Sequence, residues 1–140
     1  MNTNEELLAM LKDVAKQLDD AANGRLFRVD GERVVIEDID EYMEAHGIED
    51  GEELELVTVA NILDEDSLGD IRWEVNNKGE MFSGRVCTGF GGPNIYITDC
   101  EARGYWGFGG PVVVDLSDKA SDDAWNYFAD AWECAKCSFR

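Results

Sequence analysis

Apolar residues recur at helical spacing near the start of the chain, where Leu7, Leu8, Leu11, Val14, Ala15 and Leu18 fall on one stripe. Thr3 followed by Glu6 has the form of a capping box, and Asn23-Gly24 supplies a stop, so the pattern predicts a first helix between them. The period then changes. Leu26-Phe27-Arg28-Val29 and Arg33-Val34-Val35-Ile36 flank Asp30-Gly31, which reads as a hairpin with a tight turn. Asp38, with Glu41 three residues on, opens a short second helix that carries Ile39, Tyr42, Met43 and His46 and stops at Gly47. From Glu53 to Val59, Leu54 and Leu56 alternate with other residues as in a strand, and Ala60 to Asp66 is compatible with a helical turn.

From Ile71 onward the pattern is that of strands. Ile71-Arg72-Trp73-Glu74-Val75 alternates, and Asn76-Asn77-Lys78-Gly79 is a turn. Residues 81–88, 94–98, 104–108 and 112–116 follow as further strands of an antiparallel meander. Ser117 or Ser121 opens a last helix, in which Trp125, Phe128, Ala129 and Trp132 recur at i, i+3, i+4 and i+7 and read as a core stripe. The expected fold is α+β, one domain over residues 1–140. An antiparallel sheet of about 4–6 strands packs against the N- and C-terminal helices. A short repeat, Gly89-Phe90-Gly91-Gly92-Pro93 and Gly107-Phe108-Gly109-Gly110-Pro111, leads twice into a strand and predicts two equivalent turns at one edge of the sheet.

Composition changes this picture through charge. The 31 acidic and 12 basic residues of the 140 leave a net charge of −19, while 44% of residues are hydrophobic, enough for an ordered core. A surface of that sign repels nucleic acid and anionic membrane and attracts basic proteins, many of which are basic in order to hold nucleic acid. No stretch reaches the roughly 18 apolar residues of a membrane span. Glu5 and Glu6 stand where a secretory signal has basic residues, so the expected compartment is the cytoplasm.

The acids are unevenly placed. Between Val34 and Ile71 there is no Lys or Arg, but there are Glu37, Asp38, Asp40, Glu41, Glu44, Glu49, Asp50, Glu52, Glu53, Glu55, Asp64, Glu65, Asp66 and Asp70. Adaptation to salt would spread acids over every surface, whereas a crowded belt predicts one outward, contiguous partner-binding face.

Catalytic and cofactor chemistry find little support. The Gly-rich repeats run into strands and have no basic residue beside them, so they lack the form of a phosphate cradle. Cys134 and Cys137 form a CxxC that is a weak metal candidate, at the end of a helix rather than at the start, where a redox pair is activated. Cys87 and Cys100 are candidates to face each other on neighbouring strands, and the expected state is buried, reduced thiols. His46 is the only histidine and has no nucleophile or acid placed by sequence to work with it. The carboxylates show no contrast of desolvated against solvated surroundings, so no acid–base pair stands out. No catalytic residue, metal or cofactor is expected.

The stretch Gly91-Gly92-Pro93-Asn94-Ile95-Tyr96-Ile97 through Gly104-Tyr105-Trp106-Gly107 resembles a segment of small acidic proteins of plasmids and prophages. In charge, size and α+β pattern the chain is similar to the DNA-mimic inhibitors that mobile elements use against restriction or CRISPR systems. That likeness implies an acidic inhibitor that imitates nucleic-acid phosphates and occupies the groove of a basic, nucleic-acid-binding protein, without binding nucleic acid or membrane itself. The partner-binding residues would then be Glu37, Asp38, Asp40, Glu41, Glu44, Glu49, Asp50, Glu52, Glu53, Asp64, Glu65 and Asp66. Two other functions fit the residues. One is an acidic adaptor or antitoxin-like protein with a basic partner; the other is a small ligand-binding domain using the Gly-rich sheet edge with Tyr96, Trp106 and Phe108.

Overall fold

The sheets and helices of the computed structural model sort by the periods seen in the sequence, over described residues 3–49, 54–89, 93–106 and 110–137. Helix α1 (Thr3–Ala22) is followed by β1 (Leu26–Val29) and β2 (Glu32–Val35), then α2 (Ile39–His46), β3 (Glu55–Leu56) and α3 (Val59–Asp66). Five strands follow: β4 (Arg72–Val75), β5 (Met81–Gly89), β6 (Asn94–Thr98), β7 (Glu101–Tyr105) and β8 (Val112–Asp115); helix α4 (Asp118–Lys136) ends the described chain. The strands form an antiparallel sheet of order β2-β1-β3 and an antiparallel meander of order β4-β5-β6-β7-β8. The α+β class, the C-terminal meander and the flanking helices are as expected.

Local chemistry explains most boundaries. Asp30 and Gly31 take φ of 52° and 83°, the left-handed pair that a two-residue hairpin turn between β1 and β2 needs. The Asp38 carboxylate accepts from the Glu41 backbone N–H to start α2, and Gly47, at φ 66°, ends it. The segment 60–66 is a full helix. Its start is a capping box in which the Thr58 hydroxyl accepts from the Asn61 N–H and the Asn61 side chain accepts from the Thr58 N–H. That cap also shortens the strand expected over 53–59 to Glu55–Leu56.

The fourth strand of the meander begins three residues earlier than its sequence pattern suggests, at Glu101 rather than Gly104. Thr98 makes the difference: its hydroxyl oxygen accepts from the N–H groups of Cys100 and Glu101, closing a tight β6–β7 turn. Cys100 therefore lies exposed in that turn, while Cys87 opposes Tyr96, so the two cysteines do not face each other. Cys100 exposed and Cys87 half-buried correct the expectation of buried thiols for that pair, and Cys134 and Cys137 are exposed as well. The Gly-rich loops leave the meander at one end, after Gly89 and after Tyr105, but residues 90–92 and 107–109 lie outside the described residues.

Helices cover one face of the five-stranded sheet. Gly84 and Gly104 sit on that face where the helices cross: a Cβ at Gly84 would meet Phe128 of α4 at 2.5 Å, and one at Gly104 would meet Leu7 of α1 at 2.8 Å. Around these contacts Leu7, Leu11, Leu18, Val86, Ile97, Ala120, Ala124 and Phe128 are buried almost completely. The aromatic stripe of α4 is thus only partly core. Ala120, Ala124 and Phe128 face inward, Trp125 is 38% exposed, and Trp132 donates its indole N–H to the Gly79 carbonyl at 3.0 Å.

Asp20, the one buried charged residue among those described, closes α1 onto β1. It accepts from Lys16 Nζ at 2.8 Å and from Arg25 Nε and Nη2 at 3.2 and 3.0 Å. Burial acts to raise its pKa, but the hydrogen bonds from Lys16 and Arg25 outweigh burial and hold the carboxyl below its ordinary value. A carboxylate with a depressed folded pKa stabilises the fold above the unfolded pKa and ceases to do so as pH falls through the folded one. Asp20→Asn is therefore expected to cost about 2 kcal/mol at pH 7. Below the unfolded carboxylate value of about 4 the gap from the parent narrows and closes, as urea unfolding at a series of pH values would show.

Candidate acidic binding face

The three-stranded sheet divides the acidic belt in two. Along β1, Phe27 and Val29 pack with Ile36, Leu54, Tyr42 and Met43 beneath α2, whereas Leu26 joins the main core with Val57, Val59 and Ile62. Helices α2 and α3 thus lie on opposite sides of this sheet, and the belt is not contiguous. This corrects the sequence expectation, which took adjacency along the chain for adjacency in space.

On the α3 side the charges are largely compensated. Arg33 binds Asp66 with both terminal nitrogens at 2.9 Å, reaches Glu65 Oε2 at 2.8 Å and donates to Gln17 at 2.7 Å. Arg28 binds the same Glu65 carboxylate. Hydrogen bonds from Arg33, then Arg28, hold Glu65 below the ordinary carboxylate range. Asp64 accepts from the Tyr127 hydroxyl at 2.5 Å. Burial, reinforced by that bond, drives the Tyr127 phenol far above its ordinary pKa. Glu65 and Asp66 tie α3 to the hairpin while their side chains stay 39% and 40% exposed, and Asp64, which no cation holds among the described residues, is exposed too. It borders a groove of about 670 Å³ between α3 and α4, with Val59, Ile71, Asp123 and Asp130.

On the α2 side the charges are bare. Glu37, Asp38, Asp40, Glu41, Glu44 and Glu49 are all exposed, and none forms an ion pair among the described residues. Asp50, Glu52 and Glu53 lie outside the described residues. The nearest bases in sequence are engaged elsewhere: Arg25 holds Asp19 and Asp20, while Arg28 and Arg33 hold α3. Asp38, Asp40 and Glu41 crowd the helix N-terminus, where the peptide dipoles tolerate negative charge, and this allows the cluster to form without cations. At 1.5 Å rise per residue, Asp38 to Glu44 places four carboxylates along about 9 Å of axis.

Beside this row runs a groove of about 330 Å³ whose lining mixes Glu37, Asp38 and Glu41 with Val35, Tyr42 and Ala45. Val35 is 42% exposed. Carboxylates and apolar side chains lining one groove suit a long basic side chain, which needs an anion for its head and a hydrocarbon surface for its stem. His46 stacks on Tyr42 with ring centroids 4.0 Å apart, and its Nδ1 lies 2.9 Å from the Tyr42 carbonyl, a structural role at the helix end.

Other sequence candidates do not assemble. Tyr96 points from the uncovered face of the large sheet, while Trp106 packs with Leu7, Leu11 and Ile95 on the helix-covered face, so the two do not line one pocket. Phe108 lies outside the described residues. Among the described residues no group of three His, Cys, Asp or Glu side chains is arranged to hold a metal ion. No helix there is long and apolar enough to cross a membrane. No known protein family, curated protein or solved structure matches this chain. The mixed groove beside α2 and the compensation of α3 are not legible in the sequence. The one available signal was the two-residue turn at Asp30-Gly31, which makes Arg28 and Arg33 cross-strand partners on one face of the hairpin.

Proposed function

We propose that the chain is an acidic inhibitor that uses the α2 face to occupy the nucleic-acid site of a basic protein, such as a nuclease or complex of a host defence system. The observation that carries this reading is the contrast between the two halves of the belt. Arg28 and Arg33 neutralise Glu65 and Asp66 of α3, while every described carboxylate of α2 is exposed and lacks a cation. Carboxylates held close together repel one another, and that repulsion is relieved when a basic surface arrives. The row offers one charge per about 2–3 Å of helix axis. Duplex DNA carries one per about 1.7 Å, so a groove tuned to phosphates meets a similar density. The apolar side chains of the adjoining groove add contacts that phosphates lack and favour the inhibitor once it has docked.

Capture on the immobilised chain tests the reading. Cell lysate is applied at about 0.15 M salt and eluted by a step to about 0.5 M, where screening confines charge interactions to a few ångströms. The expected eluate is a basic protein that itself binds DNA or RNA, and a matrix carrying Glu41→Lys and Glu44→Lys should not retain it. Equal retention by both matrices would show that α2 is not the binding face.

A further inference from the structure

The uncovered face of the five-stranded sheet carries charge in an order that a second copy of the same sheet would complement. On the helix-covered face lie Val86, Ile95, Ile97, Ala102 and the two glycines at the helix crossings. Alternation places Arg72, Arg85, Thr98, Glu101 and Asp115 on the other face, which no described helix or strand covers. The register aligns them in one row: Arg72 opposes Arg85, Arg85 opposes Thr98, and Glu101 opposes Asp115.

Each end of this row holds a like-charge cross-strand pair, an arrangement that destabilises an isolated sheet. Local contacts relieve it only in part. Arg85 lies over the Tyr96 ring at 5.3 Å, Arg103 pairs with Glu101, and Glu74 stands on the same face as Arg72. Neither Arg72, Arg85 nor Asp115 forms an ion pair among the described residues. The Asp99 carboxylate, held by the Ser83 hydroxyl and the Gly84 N–H of β5, offsets the positive charge of the β4–β5 half, so it is the order of charges along the row, Arg72 and Arg85 at one end and Glu101 and Asp115 at the other, that is complementary.

We infer that this face is a self-complementary dimer interface. A twofold axis running along the central strand β6, midway between two facing sheets, sets β4 of one copy over β8 of its partner and β5 over β7. Arg72 then meets Asp115 of the other copy, and Arg85 meets Glu101, at both ends of the interface. Tyr96, on the axis strand, meets its own counterpart, an aromatic centre of the kind that anchors interfaces. A nucleic-acid strand is a poorer occupant. Glu74, Glu101 and Asp115 share the face, and the chain as a whole repels phosphate. Five strands about 4.8 Å apart and about 17 Å long give roughly 400 Å² per copy. The total falls below the roughly 1,200 Å² of a stable complex, so the dimer has micromolar or weaker affinity.

Sedimentation equilibrium from about 10 µM to 1 mM, near 0.15 M salt, tests this. The parent chain should pass from monomer toward dimer over that range. Arg72→Glu alone and Asp115→Arg alone should each weaken association by about tenfold or more, since symmetry repeats the new repulsive pair at two places in the dimer. An equimolar mixture of the two variants should regain dimer at parental strength, because the mixed dimer has an opposite-charge pair at both places. Circular dichroism of both variants should match the parent. A parent chain monomeric throughout, association that ignores both substitutions, or a mixture no better than its components would each overturn the inference. So would a monomeric chain that binds a fluorescent single-stranded oligonucleotide through Arg72 and Arg85.

Discussion

Gly84→Ala is expected to cost about 3 kcal/mol of stability, an effect at the upper end for adding one methyl group to a packed core. The new Cβ would lie 2.5 Å from Phe128 Cγ and 2.6 Å from Phe128 Cβ. Rotation of the ring cannot relieve contact with a Cβ, which is fixed to the helix backbone, so α4 itself must shift. That shift disturbs the seating of Ala120 and Ala124 and lengthens the 3.0 Å bond from the Trp73 indole N–H to the Phe128 carbonyl. Denaturant unfolding measures the loss, and red-shifted tryptophan emission would report the opened contact at Trp73. Gly69→Ala, where nothing lies within 4 Å of the added carbon, is the matched control and should change stability by less than about 0.5 kcal/mol. An equal, small effect at both positions would refute this account of how α4 packs.

Much of this architecture can be read from residue order because its signals are local. The Asp30-Gly31 turn, the Asp38 cap, the Gly47 stop and the Leu7–Leu11–Leu18 stripe each act within a few residues. Two elements were less legible. In α3, Val59, Ile62 and Leu63 do fall at i, i+3 and i+4, but the helix is only eight residues long and follows an alternating segment, and the deciding capping box joins Thr58 to a residue type rarely counted as its partner, Asn61. In β7, small residues hide the strand. Ala102 and Gly104 are the inward positions because α1 crosses there, so the apolar alternation that marks a strand is missing. The acidic belt shows the wider limit. Sequence reveals where charge is dense, but it does not reveal that β1 separates α2 from α3, or that Arg28 and Arg33 turn toward one side only.

Reversing charge on α2 is expected to have the largest effect on binding. Glu41→Lys with Glu44→Lys exchanges two attractions for two repulsions, and weakening of about 100-fold follows if each altered charge contributes roughly 1 kcal/mol or slightly more. Most of the loss should appear in the association rate, because exposed charges act mainly by steering. The same exchange at Glu65 and Asp66 should leave binding nearly unchanged while loosening the fold, since those carboxylates hold Arg33 and Arg28. Surface plasmon resonance on the captured partner, with urea unfolding in parallel, separates the two outcomes.

Direct competition between the chain and nucleic acid for that partner tests the α2 reading most closely. With the partner held constant, rising duplex DNA or RNA should raise the apparent Kd of the chain in proportion to nucleic-acid concentration, without a plateau. A ternary complex, or an affinity indifferent to saturating nucleic acid, would contradict mimicry and leave an acidic adaptor in its place.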